Sequence, residues 1–212
     1  MYRTKPVETY LADAAAKLPA PGGGSVSALA GALGASMAAM AANFTVGKKK
    51  FRDVEPEVRA ILEQCDAGWK RLLELMDADV AAYSTVSAAY GMPKGTDAEK
   101  AARRAAIQDA LKVALAEPLA TLRQCHALIE LLDRLVETAN PNLISDVGVA
   151  AILLEAALRG AKINVEINLA WLKDKPFVGQ TRDEIDRAAD GAAQTAASVL
   201  QRVYQKMGWP PA

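Results

Sequence analysis

The sequence predicts an all-α protein, a single-domain bundle of about six helices with some very long ones, and three observations lead there. Hydrophobic residues make up 51% of the chain and aromatics only 5%. The core is therefore built mainly from Ala, Leu, Val and Ile, a composition that favours helices and leaves few good strand formers. Apolar residues recur at intervals of three and four, and no segment sustains the two-residue alternation of a half-buried strand. Glycine and proline gather in short clusters between these segments, as expected of long helices joined by short connections. With 212 residues and no internal repeat, the whole of 1–212 reads as one domain able to bury a substantial core.

In chain order, Pro6 to Lys17 reads as a first helix with Val7, Tyr10, Leu11 and Ala14 on one face. Leu18 to Gly24 holds Pro19, Pro21 and three consecutive glycines, so it reads as a loop. Ser25 is placed to cap a second helix that runs through Met37 and Met40 to Phe44. Gly47 with Lys48, Lys49 and Lys50 reads as its exit, where cations complement the helix end. Pro56 suits a first turn, and Val58, Ile61, Leu62, Cys65, Trp69, Leu72, Leu73 and Met76 form the stripe of a helix reaching Tyr90. That is about 35 residues, or roughly 50 Å. Gly91 to Gly95 ends it. Thr96 and Glu99 make a capping box, and the helix they open continues through Leu111 and Leu115, kinks at Pro118, and resumes to Leu132. Asn140-Pro141-Asn142 marks a break, after which Ser145 caps a helix reaching Leu172. Lys173 to Gln180 reads as a loop, Thr181 and Glu184 as a second capping box, and the last helix ends near Lys206. Trp209-Pro210-Pro211 forms a tail.

Composition narrows the function. Lys+Arg and Asp+Glu number 25 each, and a balanced chain is a poor nucleic-acid binder. Met1 to Glu8 is polar, so no secretory signal is expected. Ser25 to Phe44 is about long enough to span a bilayer, but its Ala, Gly and Ser content and Asn43 favour a buried helix of a soluble, cytoplasmic protein. Cys65 and Cys125 sit within helical patterns and read as reduced, buried thiols. His126 is the one histidine, in mid-helix, so neither a conventional zinc site nor a Ser-His-Asp triad is expected. Acid–base chemistry here falls to carboxylate, lysine, amide and hydroxyl groups.

Four clusters could carry it. Pro21-Gly22-Gly23-Gly24-Ser25 leads into a helix start, where glycines admit a ligand and free N–H groups favour an anion or a polar ring edge. A flexible connection with a serine cap explains the same residues. Lys48, Lys49, Lys50 and Arg52 form a cationic run, solvated or directed at an anionic substrate. Asn140 to Asp146 gathers amides, Ser145 and a carboxylate at a loop–helix junction. On the same helix, Asn164 and Asn168 share a face four residues apart, but Asn164 lies about 27 Å along the axis from Asp146. Within one subunit they cannot both touch one reacting atom. Asp77 and Asp79 precede Tyr83, and two residues apart on a helix they face differently, so at most one points into a site.

These segments, in this order, resemble the cyclodeaminase/cyclohydrolase family of folate enzymes. The stretches that carry the resemblance are PAPGGGSVSALAGALGASMAAM, NFTVGKKKF, DADVAAY, MPKGTDAEKAARRAAIQDAL and NLISDVGVAAILLEAALRGAKINVEINL, together most of Pro19 to Leu172. The resemblance implies a stand-alone methenyltetrahydrofolate cyclohydrolase, converting 5,10-methenyltetrahydrofolate and water to 10-formyltetrahydrofolate. The alternatives are cyclodeamination of 5-formiminotetrahydrofolate and, more remotely, a non-enzymatic helical interaction module. The lysines at 48 to 50 depart from the arginine-type run of the bifunctional family members. Under the resemblance, Asp146 is the catalytic base that balances the methenyl cation, and Lys48 is the acid at the pterin nitrogen. Gly23, Gly24 and Ser25 hold the pterin, Asn43, Lys49, Asp79, Asn140, Ser145, Asn164 and Asn168 complete substrate binding, and neither a metal nor a cofactor takes part. The long Ala-rich helices, together with the resemblance, imply a homodimer with no membrane or nucleic-acid partner.

Overall fold

In the computed structural model, which describes residues 1–208, six α-helices follow one another without a strand among the described residues. They are α1 (Val7–Ala15), α2 (Gly23–Asn43), α3 (Glu55–Gly91), α4 (Asp97–Thr138), α5 (Ile144–Trp171) and α6 (Lys175–Lys206). Short 3₁₀ turns at Tyr2–Thr4, Lys49–Phe51 and Pro141–Leu143 complete the chain. The expected tail at Trp209 to Pro211 lies outside the described residues. One hydrophobic core draws on all six helices.

Its centre is α2, which the abundance of small residues makes possible. Ala28, Ala35, Ala38, Ala41 and Ala42 are fully buried, and α2 touches α3, α4 and α5. A Cβ on Gly31 would stand 2.8 Å from the Cys125 sulfur, and one on Gly34 would stand 2.9 Å from Leu154. These two glycines let α2 approach its neighbours backbone to side chain. Gly23 lies against Asn164 and Gly34 against Leu154, so α2 and α5 run antiparallel. In the Gly23–Asn43 helix an 18-residue stretch of mean hydropathy 1.5 has 61% of its residues buried inside the bundle, as expected of a core helix.

Helix α3 has 37 residues, about 55 Å, and α4 has 42, about 63 Å. The Thr96–Glu99 capping box forms as expected, and α4 passes through Pro118 without interruption. Because α4 contacts α2, α3, α5 and α6, it covers one side of the α2–α5 pair. The other side carries Val26, Leu33 and Met40 of α2, Phe44 just past its end, and Val149, Ile152, Ile163 and Ile167 of α5, all exposed.

Several local expectations need correction. In α1 only Tyr10 is buried, while Val7 and Leu11 are exposed, because one face of so short a helix meets the bundle through a single ring. Gly22, not Ser25, is the N-cap of α2, since extended backbone at a glycine frees Ser25 for tertiary contacts. Leu143, not Ser145, precedes α5, and no side chain caps it. The segment expected as a loop at 173–180 is mostly helix. Asp174 caps α6 by accepting from the Phe177 N–H, and Pro176 sits in the first turn, where it lacks nothing the helix needs. Thr181 is then buried inside α6, and Glu184 instead binds Arg123 through both carboxylate oxygens, at 2.6 and 2.9 Å. The lysine run does not cap α2, whose last turn holds no cation. A turn with Gly47 at φ 76° separates them.

Candidate active site

A cavity of about 290 Å³ opens where the start of α2 meets α3, α4 and α5, lined among others by Gly22, Gly23, Gly24, Asp79, Tyr83, Ala114, Asn164 and Asn168. The local sequence explains the convergence. Glycines let the first turn of α2 press against α3 and α5: a Cβ on Gly24 would overlap the Asp79 carboxylate, and one on Gly23 would lie 3.1 Å from the Asn164 amide.

Ser25 locks this corner. Its N–H donates to Asp79 Oδ2 at 2.9 Å, and its hydroxyl donates to the Met76 carbonyl at 3.0 Å. The Tyr10 hydroxyl, 3.0 Å away, therefore donates to Ser25 Oγ. Burial pushes the Asp79 carboxyl above its ordinary range, the Ser25 N–H pulls it down, and the negative Glu117 pushes it up again, leaving a net rise. A half-buried carboxyl tuned upward in a cleft suits proton transfer. Asp77, two residues away, faces elsewhere as expected. It takes the Tyr2 N–H and lies 3.6 Å from Arg3, lining a separate, larger cleft of about 490 Å³.

Asn164 and Asn168 each donate a side-chain N–H to the carbonyl four residues back, at 2.8 Å. Only the NH₂ group can donate, so this fixes each amide and leaves both Oδ1 atoms as acceptors. Gly23 and Gly24 sit in the first turn of α2, where N–H groups have no intrahelical partner. The cavity thus offers donors from one helix and acceptors from two others.

The remaining expected site residues stand at the opposite end of the α2–α5 pair. Asn43, Lys48, Lys49, Lys50 and Ser145 are exposed and Asp146 is half-buried. Asn140 is fixed there, its N–H donating to Thr45 Oγ1 at 2.8 Å and its side chain to the Phe44 carbonyl at 3.3 Å. Asp146 and Asn164 belong to one unbroken helix, so about 27 Å separates them. In one chain the expected catalytic pair, Asp146 and Lys48, does not face the glycine cavity, whereas Gly23, Gly24, Asp79, Asn164 and Asn168 line it. Ser25 supports it from behind rather than holding a ligand, since its hydroxyl and N–H are engaged. Ala114 and Glu117 were missed. Helical spacing links Tyr83 to Asp79, but nothing local in the sequence brings α4 to that corner. Cys65 and Cys125 are free and buried, and burial pushes both thiols up to about 12, which makes them packing groups rather than nucleophiles. No cluster of His, Cys, Asp and Glu suited to a metal occurs among the described residues.

The chain is similar to known proteins along nearly its whole length. A family model described as formiminotransferase-cyclodeaminase matches residues 6–187. The methenyltetrahydrofolate cyclohydrolase of Methylorubrum extorquens is 40% identical over 94% of both chains. The formimidoyltransferase-cyclodeaminase of Sus scrofa is 35% identical over 94% of this chain, which spans only 37% of that longer protein. Among solved structures, the formiminotetrahydrofolate cyclodeaminase of Thermotoga maritima superposes with a TM-score of 0.80 at 31% identity, covering 98% of each chain.

Proposed function

We infer the activity from one premise: the chain belongs to the formiminotransferase-cyclodeaminase family. It is a methenyltetrahydrofolate cyclohydrolase, hydrolysing 5,10-methenyltetrahydrofolate to 10-formyltetrahydrofolate. Likeness to the Methylorubrum cyclohydrolase over 94% of both chains supports this activity, and the feature that carries its chemistry is the half-buried, upward-shifted Asp79 in a cleft with fixed amides.

Ionised Asp79 stabilises the cationic methenyl bridge and takes a proton from the attacking water. Collapse of the tetrahedral adduct then moves the hydroxyl proton off as the formyl C=O forms and a proton onto N5 as the C–N5 bond breaks. One proton is released overall. No metal, cofactor or redox partner enters this scheme, and we place the enzyme in the cytoplasm, where reduced Cys65 and Cys125 suit the compartment.

The proposal extends to a homodimer formed through the exposed apolar face of α2 and α5, with no membrane or nucleic-acid partner. An antiparallel pairing is favoured by charge. A parallel one would bring two copies of Lys48, Lys49, Lys50 and Arg52 together, whereas an antiparallel one sets them beside the partner's Asp79 and Glu117. Lys48 of one subunit then serves the cavity of the other as proton donor to N5, with Lys49 on the anionic glutamate tail. Mixing Asp79→Asn with Lys48→Ala protein tests this, because a hybrid dimer regains one intact site. Failure of mixed subunits to recover activity after exchange would refute the shared site.

Cyclodeamination remains the second reading, favoured by one observation: the Thermotoga cyclodeaminase, of matching length, covers 98% of this chain. A match in length therefore does not by itself indicate cyclohydrolase activity. The assay offers methenyl- and formiminotetrahydrofolate separately and follows methenyl absorbance and ammonia. Rapid loss of methenyl absorbance without ammonia release from the formimino compound is expected. Ammonia release with no methenyl hydrolysis would overturn the cyclohydrolase assignment.

A further inference from the structure

Pro118 lies in the middle of a helix that neither ends nor breaks there, and it is buried. Proline has no N–H, so the carbonyl four residues back, that of Ala114, loses its helical partner, and the pyrrolidine ring crowds that oxygen off the helix axis. The hydroxyl of Thr121 does not replace the missing donor, since it binds the Glu117 carbonyl at 3.1 Å. Ala114 lines the Asp79 cavity together with Asn164 and Asn168. A backbone acceptor is thereby released at the one stretch of α4 that meets the cavity.

The company it keeps identifies its ligand. Asn164 and Asn168 turn their Oδ1 atoms outward because their NH₂ groups are held by their own helix. Such a wall of acceptors matches a ligand edge made of donors. A reduced pterin carries such an edge in its neighbouring 2-amino group and N3–H. The exocyclic amino group projects furthest from the ring, which suits an acceptor set back in a helix backbone. We propose that the Ala114 carbonyl, released by Pro118, accepts a hydrogen bond from the 2-amino group of the folate's pterin ring. The assignment rests on the folate reading above and deepens it, making Pro118 a specificity-determining residue that acts through the backbone of its neighbour.

Pro118→Ala tests this with opposite signs on two readouts. The variant regains an N–H that closes the helical bond to Ala114, so its thermal midpoint should rise. Its kcat/KM for methenyltetrahydrofolate should fall about 3- to 10-fold, the range of one neutral hydrogen bond. A second substrate lacking the 2-amino group separates lost recognition from a shifted helix. Wild type should discriminate against it, and Pro118→Ala should discriminate about 3- to 10-fold less. Equal losses on both substrates, or no loss on either, would overturn the proposal. If wild type fails to hydrolyse methenyltetrahydrofolate, the cyclohydrolase reading falls on its own. The same cycle is then run on calorimetric binding of tetrahydrofolate and its 2-desamino analogue, where unchanged discrimination or no binding by wild type overturns the carbonyl's role.

Discussion

The glycine end and the basic end of the α2–α5 pair both gather polar residues, yet they hold them differently. At the glycine end Ser25 is tied to α1, α3 and Asp79 by three hydrogen bonds, and Asn164 and Asn168 are pinned to their own helix. At the basic end Lys48, Lys49 and Lys50 are exposed, whereas Asn140 is held by Thr45 and Phe44. Chemistry that depends on a displaced pKa and a fixed geometry belongs where packing supplies both. Exposed charges in a connecting segment have neither, but they are available to a second body that docks there.

The largest test of that contrast is Asp79→Asn. The amide can still accept the Ser25 N–H but cannot take a proton, so turnover should fall about 100- to 10,000-fold with a smaller change in KM. Single-turnover decay of methenyl absorbance measures it. The same variant reports on burial. Asp79 is raised in the folded chain, so its protonation favours folding; that contribution is complete below the unfolded value and is lost as pH rises through the folded one. Wild type should lose stability relative to Asp79→Asn from about pH 4 towards neutrality, as paired thermal melts would reveal. An identical pH slope in the two proteins would place Asp79 in ordinary solvent.

Glycine substitutions sharpen the comparison next. Gly24→Ala drives a methyl into the Asp79 carboxylate, and such overpacking costs about 1–3 kcal/mol, with activity falling more steeply than the melt because the carboxylate must move. Gly47→Ala, at φ 76° with open space around it, should cost about 1 kcal/mol and leave kcat nearly unchanged. If Gly47→Ala harmed turnover as much as Gly24→Ala, the two ends would be functionally equivalent. Smaller effects follow at the basic end. Lys48→Ala should leave stability within about 0.5 kcal/mol while lowering turnover, and Asp146→Asn, a first-turn carboxylate with a helix-friendly replacement, should change stability by less than about 1 kcal/mol and turnover least of all. A crippled Asp146→Asn with a normal melt would return the base role to Asp146.

The fold was largely legible because helix signals are local. The Thr96–Glu99 box, the stripe from Val58 to Met76 and the glycine run each act within a turn or two. Where the reading failed, a tertiary contact had taken a residue away from its local role. Ser25 serves Tyr10, Met76 and Asp79 instead of capping, and Glu184 serves Arg123 instead of closing a box with Thr181. The site was harder to read for the same reason. Asp79 was visible as one of two aspartates of which at most one could enter a site, but its place in the cavity comes from the first turn of α2 closing on it, and Ala114 of α4 reaches that corner only through packing.

Helix α5 has a further bearing on how the chain can vary. It carries the half-buried Asp146 in its first turn and Asn164 and Asn168 on the cavity wall, with no bend or loop between to absorb a change in length. Adding or removing one residue near Leu158 would turn everything beyond it by about 100°, swinging both amides out of the cavity while their own helix remained intact. Insertions should therefore be tolerated around Gly47 and Gly95, whereas between Val147 and Asn168 the number of residues is itself a requirement.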